Sequence, residues 1–329
     1  MKKTYYYLAP MEGITGYVYR HAHHRIFPGT DKYFTPFITP NQTRKLASRE
    51  LNDILPEHNE GINTVPQIMT NKAEDFIWAA KRCSALGYKE INLNLGCPSQ
   101  TVAAKGRGAG FLSDPTALNR FLDRVSEEVE KYGIALSIKT RIGKDDPDEF
   151  EDLLAVYNRY PLKELIIHPR IQRDYYKNKP NMQVFGEAFK ASRNPVCYNG
   201  DLFNQESGKA FQCRFPEVTA VMLGRGVIAN PALINGLAGG ERLCKDRLGE
   251  FHNIVLDGYR RIISGDRNVL FRMKELWFYM GGSFQDSRKY LKKIRKAGSL
   301  ADYQLAVASL FAERELTETA GYIDPQGES

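Results

Sequence analysis

Short apolar runs recur along the chain, each followed by a longer stretch whose apolar residues return every three or four positions. The runs 5–9, 33–37, 64–69, 91–95, 134–139, 165–167, 195–198 and 220–223 predict eight strands. Between them, 73–86, 115–131, 149–157 and 206–211 predict helices; before the second, Asp114 can cap and Pro115 suits the first helical position. Strands alternating with helices imply parallel pairing. Eight such units within ~230 residues match a (β/α)8 TIM barrel, and an open doubly wound sheet fits eight repeats less well. After Gly239-Gly240 the strand-like runs stop, and 248–263, 269–280, 287–297 and 301–315 predict successive helices. The expected architecture is α/β: a barrel over residues 1–240, then a smaller all-helical domain over residues 241–329.

Composition narrows the setting. A hydrophobic fraction of 42%, with 17 Phe and 18 Tyr, is ample for a packed core. The formal charge of +7 suits an anionic partner, although many enzymes carry as much. Five cysteines without a C-x-x-C pair argue against a disulfide framework and a structural zinc site, so no metal is expected. No run approaches the ~18 apolar residues that span a bilayer, and residues 1–9 lack a signal-peptide apolar region. A cytoplasmic protein with no membrane association and no obligate protein partner is expected.

The candidate chemistry gathers where a barrel keeps its active site, at the carboxyl ends of the strands. Those ends carry Pro10-Met11-Glu12-Gly13, Gln67, Asn94 with Cys97, Lys139-Thr140-Arg141, His168, Asn199-Gly200-Asp201 and Gly224-Arg225-Gly226. Each residue alone has a bland reading, a solvated strand end or a satisfied core histidine, but seven coincident placements do not. Glycines after strands seven and eight let backbone N–H groups approach a phosphate, to which Arg225 can add a forked contact. Cys97 ends an alternating strand and precedes the basic, glycine-rich run Lys105-Gly-Arg107-Gly-Ala-Gly110, which suits an anionic substrate.

Taken together, Ala9-Pro-Met-Glu-Gly13, Gln67, Asn94-Leu-Gly-Cys-Pro98, Lys139-Thr-Arg141, His168, Asn199-Gly-Asp201 and Leu223-Gly-Arg-Gly226 resemble the dihydrouridine synthases. These flavoenzymes reduce uridine in RNA, usually transfer RNA. The resemblance implies FMN over the barrel mouth, with Pro10, Met11 and Glu12 along the isoalloxazine and Gln67 and Lys139 on its polar edge. His168, Asn199, Gly200, Asp201, Gly224 and Arg225 would hold the ribityl phosphate side. A cation at Lys139 favours the anionic reduced flavin. Hydride would pass from flavin N5 to C6 of uracil, and Cys97 would give the proton to C5. A reference thiol pKa of ~8.5 leaves such a group mostly protonated at neutral pH, as an acid must be. Asn94 would steady the uracil, and NADPH would be the reductant.

Two departures from the family pattern fall where RNA would approach. The run His168-Pro169-Arg170-Ile171-Gln172-Arg173 stands where the family usually has Gly and then Arg-Thr, and Gln100 replaces a frequent basic residue. Lys105, Arg107, Arg141, Arg170 and Arg173 are the expected RNA contacts near the barrel mouth. In the helical part, Arg288–Lys296 holds six basic residues in nine and no acid. Leu291 and Ile294 could anchor one face, leaving Lys292, Lys293, Arg295 and Lys296 outward, with Arg272 and Lys274 as further phosphate contacts. A target uridine inside folded RNA must be extruded at a cost of a few kcal/mol, which phosphate contacts offset. The alternatives are the same chemistry on ribosomal RNA, or an FMN barrel acting on a free metabolite in the manner of a dihydroorotate dehydrogenase.

Overall fold

A computed structural model describes residues 3–41, 43–318 and 320–322. Nine parallel strand segments form one sheet: β1 (Tyr5–Leu8), β2 (Lys32–Phe34), β3 (Thr64–Val65), β4 (Gln67–Ile68), β5 (Glu90–Leu95), β6 (Ala135–Arg141), β7 (Glu164–His168), β8 (Val196–Tyr198) and β9 (Ala220–Leu223). Their order is β3-β2-β1-β9-β8-β7-β6-β5-β4. The two ends of that order are one stretch of chain interrupted by Pro66. Lacking an N–H, Pro66 cannot continue a ladder as a donor, but its carbonyl accepts from Asn92 N at 2.9 Å. β3 therefore pairs with β2 and β4 with β5, which closes an eight-stranded (β/α)8 barrel, the expected fold.

The chain resolves into two compact units, discontinuous in sequence. The first holds residues through Pro10, Lys32–Gly200 and Phe215–Met222; the second holds Met11–Asp31, Asp201–Arg214 and the chain from Leu223 onward.

In the first unit the barrel strands are buried on both faces, and the register fixes which residues point inward. Gln67 pairs with Asn92, Asn92 with Ser137, Asn94 with Lys139, Lys139 with Ile166, and Ile166 with Cys197. Paired residues in a parallel sheet share a face. The inward set thus combines an apolar cluster (Tyr7, Ala9, Phe34, Val65, Ile166, Cys197, Ala220 and Met222) with Gln67, Asn92, Asn94, Ser137 and Lys139. The outer helices form as their sequences require. In Pro115–Lys131, Asp114 accepts from Ala117 N at 2.8 Å, and Leu118, Phe121, Leu122, Val125 and Val129 are buried along one stripe.

The second unit is helical. Its longest members are Tyr17–Ile26, Gln205–Arg214, Lys245–Ile262, Asp266–Met280, Arg288–Lys296 and Leu300–Glu313. Tyr17–Ile26 escapes the apolar pattern because it buries Arg20 and His23 beside Val18, Tyr19, Ala22 and Ile26. Arg20 donates to Thr15 O at 2.8 Å, and His23 Nε2 bonds Pro231 O at 3.0 Å, so both polar groups find partners inside. Val18 packs against Gly258 so closely that a Cβ there would stand 2.5 Å from it. Among the described residues, no helix is long and apolar enough to cross a membrane.

Candidate active site

Within the first unit, an amide relay lines the carboxyl half of the barrel. Gln67 donates through Nε2 to Asn92 Oδ1 (2.8 Å) and accepts at Oε1 from Asn94 Nδ2 (2.7 Å). Asn92 passes the relay on to Ser137 Oγ at 2.9 Å. Sequence reasoning singled out Gln67 and Asn94 but missed Asn92 and Ser137. The signal was available: in a strand buried on both faces, the polar phase of Ile91-Asn92-Leu93-Asn94-Leu95 must be satisfied inside.

Asn94 also builds the cysteine loop. Its Oδ1 accepts from Gly96 N and Cys97 N, each at 3.0 Å. The Cys97 carbonyl then accepts from Ala109 N at 3.0 Å, bringing the glycine-rich run onto the thiol. Gly108 has φ +54°, and a Cβ there would lie 2.9 Å from Cys97 Cβ. Only glycine meets both demands. Cys97 is left half-buried and not in a disulfide. Of the two basic residues in this run, Lys105 is exposed and Arg107 half-buried.

Lys139 stands beside this loop: a Cβ added to Gly96 would be 3.8 Å from Lys139 Nζ. Among the described residues no carboxylate lies within ion-pair reach of it. Burial first, and then the charge of Arg141, lowers its pKa to about 8. A half-dry cation without a carboxylate counter-ion is suited to an anionic ligand.

Arg141 and Arg170 are placed differently from the expectation that they face RNA; they are 0% and 2% exposed. Arg141 donates from Nε to Gly96 O (2.9 Å), from Nη1 to Ile171 O (2.9 Å) and from Nη2 to Tyr175 O (2.8 Å). It thereby joins the cysteine loop to the loop after β7. Arg170 donates to Asn178 O and, through Nη1, to His168 Nε2 at 3.2 Å. A guanidinium can only donate, so neutral His168 carries its proton on Nδ1. Gln172, one of the departures from the family pattern, donates to Pro98 O at 3.3 Å and so supports the cysteine loop. Arg173 is exposed and pairs with Asp145 at 2.6 Å. Asn199 is buried and donates to Met222 O at 2.8 Å. A side chain on Gly200 would overlap the Tyr198 ring. Pro10 is half-buried at the end of the strand-one run.

A second polar cluster, unforeseen from sequence, fills the opposite end of the barrel. Tyr7 donates to Glu164 at 2.9 Å, and Lys32 bridges Glu90 at 2.8 Å and Glu164 at 3.5 Å. Burial raises the Glu164 pKa against the pull of Lys32. At Lys32 the balance reverses: burial, which would lower its pKa, is outweighed by Glu164 and Glu90.

In the second unit, Arg225 donates to Asp201 at 2.7 Å and lies over the rings of Phe203 (4.9 Å) and Tyr322 (5.0 Å). Gly224 begins the short helix Arg225–Ala229. Met11 N donates to Thr15 Oγ1 at 2.8 Å, while Glu12 is exposed. Arg272 Nη1 donates to Gly13 O at 2.8 Å, and Lys274 Nζ to Ala297 O at 2.6 Å, so both are partly committed to backbone. On Arg288–Lys296 the buried anchors are Tyr290 and Ile294, with Leu291 half-buried against Gly281. Lys292, Lys293, Arg295 and Lys296 are exposed.

The model of the family described as dihydrouridine synthase (Dus) matches residues 7–301. A probable tRNA-dihydrouridine synthase of Staphylococcus epidermidis is 26% identical over 328 residues, covering 97% of this chain and 94% of that protein. One from Staphylococcus aureus is 27% identical over 238 residues, 70% of each chain. Among solved structures, morphinone reductase (13% identical, TM-score 0.52, 75% of this chain and 88% of that one) shares the fold. So does 2-naphthoyl-CoA reductase (10% identical, TM-score 0.55, 76% and 51%). With a family match across most of its length, and with Cys97 and Lys139 at one barrel mouth, the chain belongs to the dihydrouridine synthase family of oxidoreductases.

Proposed function

We propose that the protein reduces uridine to 5,6-dihydrouridine in RNA, transfer RNA before ribosomal RNA, with FMN as cofactor and NADPH as reductant. The observation that carries this reading is Lys139, which among the described residues has no carboxylate partner, beside the loop that presents Cys97. The donor set fits a flavin: Lys139 for the anionic edge of the reduced ring, and Gln67 held rigidly by Asn92 and Asn94. Held by these residues, FMN would supply a hydride for C6 of uracil. Cys97 donates its thiol proton to C5, so the ring gains two hydrogens and two electrons. Asn94 and Gly108 fix the Cys97 backbone, and His168, held by Arg170, would stand on the ribityl phosphate side of the cofactor.

The transfer RNA preference follows the staphylococcal relatives, which are probable tRNA-dihydrouridine synthases. Residues 1–240 would carry the flavin chemistry and residues 241–329 the RNA contacts, with Lys292, Lys293, Arg295 and Lys296 on phosphates. Free thiols such as Cys83 and Cys197 suit a reducing cytoplasm. The test is direct. Purified protein should be yellow, release FMN rather than FAD on denaturation, and with NADPH add two hydrogens to uridines of unmodified transfer RNA. A colourless protein that takes up no added FMN overturns the assignment.

A further inference from the structure

Within the helical unit, Asp266–Met280 and Arg288–Lys296 enclose a cleft of about 580 Å³. Its lining joins two chemistries. Lys274, Arg288, Lys292 and Arg295 supply four cations and no carboxylate, while Trp277, Phe278, Leu291 and Ile294 supply apolar surface. Arg288, Lys292 and Arg295 follow the i, i+4, i+7 spacing of one helix face. Among the described residues, none of these three has an ion-pair partner.

The two aromatics differ in kind. Trp277 is 3% exposed and donates its indole N–H to Tyr303 at 2.8 Å, so it belongs to the floor. Phe278 is 66% exposed. Its ring meets that of Tyr279 edge-on, with centroids 5.1 Å apart and planes at 86°, a contact that steadies it and leaves it accessible.

We infer that this cleft is a nucleotide-stacking site, in which one unpaired base of the RNA lies on Phe278 while its flanking phosphates meet Arg288, Lys292 and Arg295. The inference rests on the RNA-binding reading above but goes past phosphate contact to a base held by its π-face. Charge complementarity selects a polyanion, and the exposed ring selects one that carries planar bases. The volume falls within the ~300–1,000 Å³ of small-ligand sites. Base–aromatic stacking depends little on sequence, so this site would grip an unstacked loop nucleotide and add affinity without reading its identity.

The test uses the full-length protein with unmodified transfer RNA, and heparin as a polyanion without bases. Phe278→Ala should weaken RNA binding about 5- to 150-fold, the range expected for loss of one stacked base. It should leave heparin binding and the dependence of RNA affinity on salt unchanged. Arg295→Gln should instead flatten that salt dependence by about 0.7–0.9 in log–log slope. Phe278→Trp should restore affinity, and the emission of the added indole should be quenched by RNA. Equal loss for RNA and heparin, or no loss for either, overturns the inference, as does an added indole emission that saturating RNA leaves unchanged. These are binding measurements, so absence of uridine reduction would sink the proposed function without touching them.

Discussion

Two lysines occupy opposite ends of the same barrel interior, and their surroundings differ in one respect. Lys32 lies between Glu90 and Glu164, with Tyr7 completing the network, and its pKa is raised. Lys139 stands in register with Asn94 and has two thiols, Cys97 and Cys197, and another cation, Arg141, near it; burial first, then Arg141, lowers its pKa to about 8. The first arrangement is closed: the cation has its complement within the fold. The second is open, a positive charge with no carboxylate beside it among the described residues. In barrels the amino-terminal face serves stability and the carboxyl-terminal face chemistry, and here the presence or absence of a counter-ion tells the two apart.

The sharpest way to separate the two ends is to remove one group from each. Cys97→Ala should cut uridine reduction ~10²–10⁴-fold, the usual contribution of a general acid, while flavin content and melting temperature stay near wild type. Near-normal product formation at neutral pH would remove Cys97 from that role. Glu164→Ala should do the reverse. It takes away the acceptor of Tyr7 and one partner of Lys32, and breaking a buried pair costs about 3–5 kcal/mol, here toward the lower end because Glu90 remains. Chemical denaturation should register that loss; an unchanged midpoint would contradict the closed-cluster reading.

Lys139→Met gives a smaller and two-sided effect. Loss of a charge-assisted contact of about 1.5–3 kcal/mol should slow flavin reduction by NADPH roughly 10- to 100-fold. In flavin-free protein the same change should relieve a buried charge. The sign follows from the lowered pKa: between about pH 8 and the unfolded value of ~10.4, the unfolded chain holds a proton that the folded chain has released. Wild-type stability should therefore gain a rising component with pH across that window, and the variant should lack it. Parallel profiles would mean Lys139 is ordinarily solvated.

Gly108→Ala is the mildest test of the open end. Its positive φ and the approach to Cys97 should cost about 1–2 kcal/mol, with the thiol displaced. Iodoacetamide should then alkylate Cys97 at an altered rate while the flavin spectrum is retained. An unaltered rate would show that the glycine serves the turn alone.

Much of this contrast was readable in the chain and part of it was not, for physical reasons. Period-two apolar runs ending in Gly, Pro or a polar residue marked the strands and the loops above them, so Gln67, Cys97 and Lys139 could be placed beforehand. Arg141 and Arg170 could not: arginine is seldom fully buried, and nothing local shows that loop carbonyls will converge on a guanidinium. Tyr7, Lys32, Glu90 and Glu164 were hidden for a related reason, since each belongs to a different strand and only closure of the barrel brings them together. Tyr17–Ile26 was obscured because its inward stripe includes an arginine and a histidine.

Arg141 has one more consequence. A single planar group accepts no independent displacement of the three carbonyls it holds, Gly96 on one loop and Ile171 and Tyr175 on the other. Two segments far apart in sequence are thereby reduced to one mechanical body. While these bonds hold, any opening of one loop must carry the other with it, so their amide exchange should rise and fall in step.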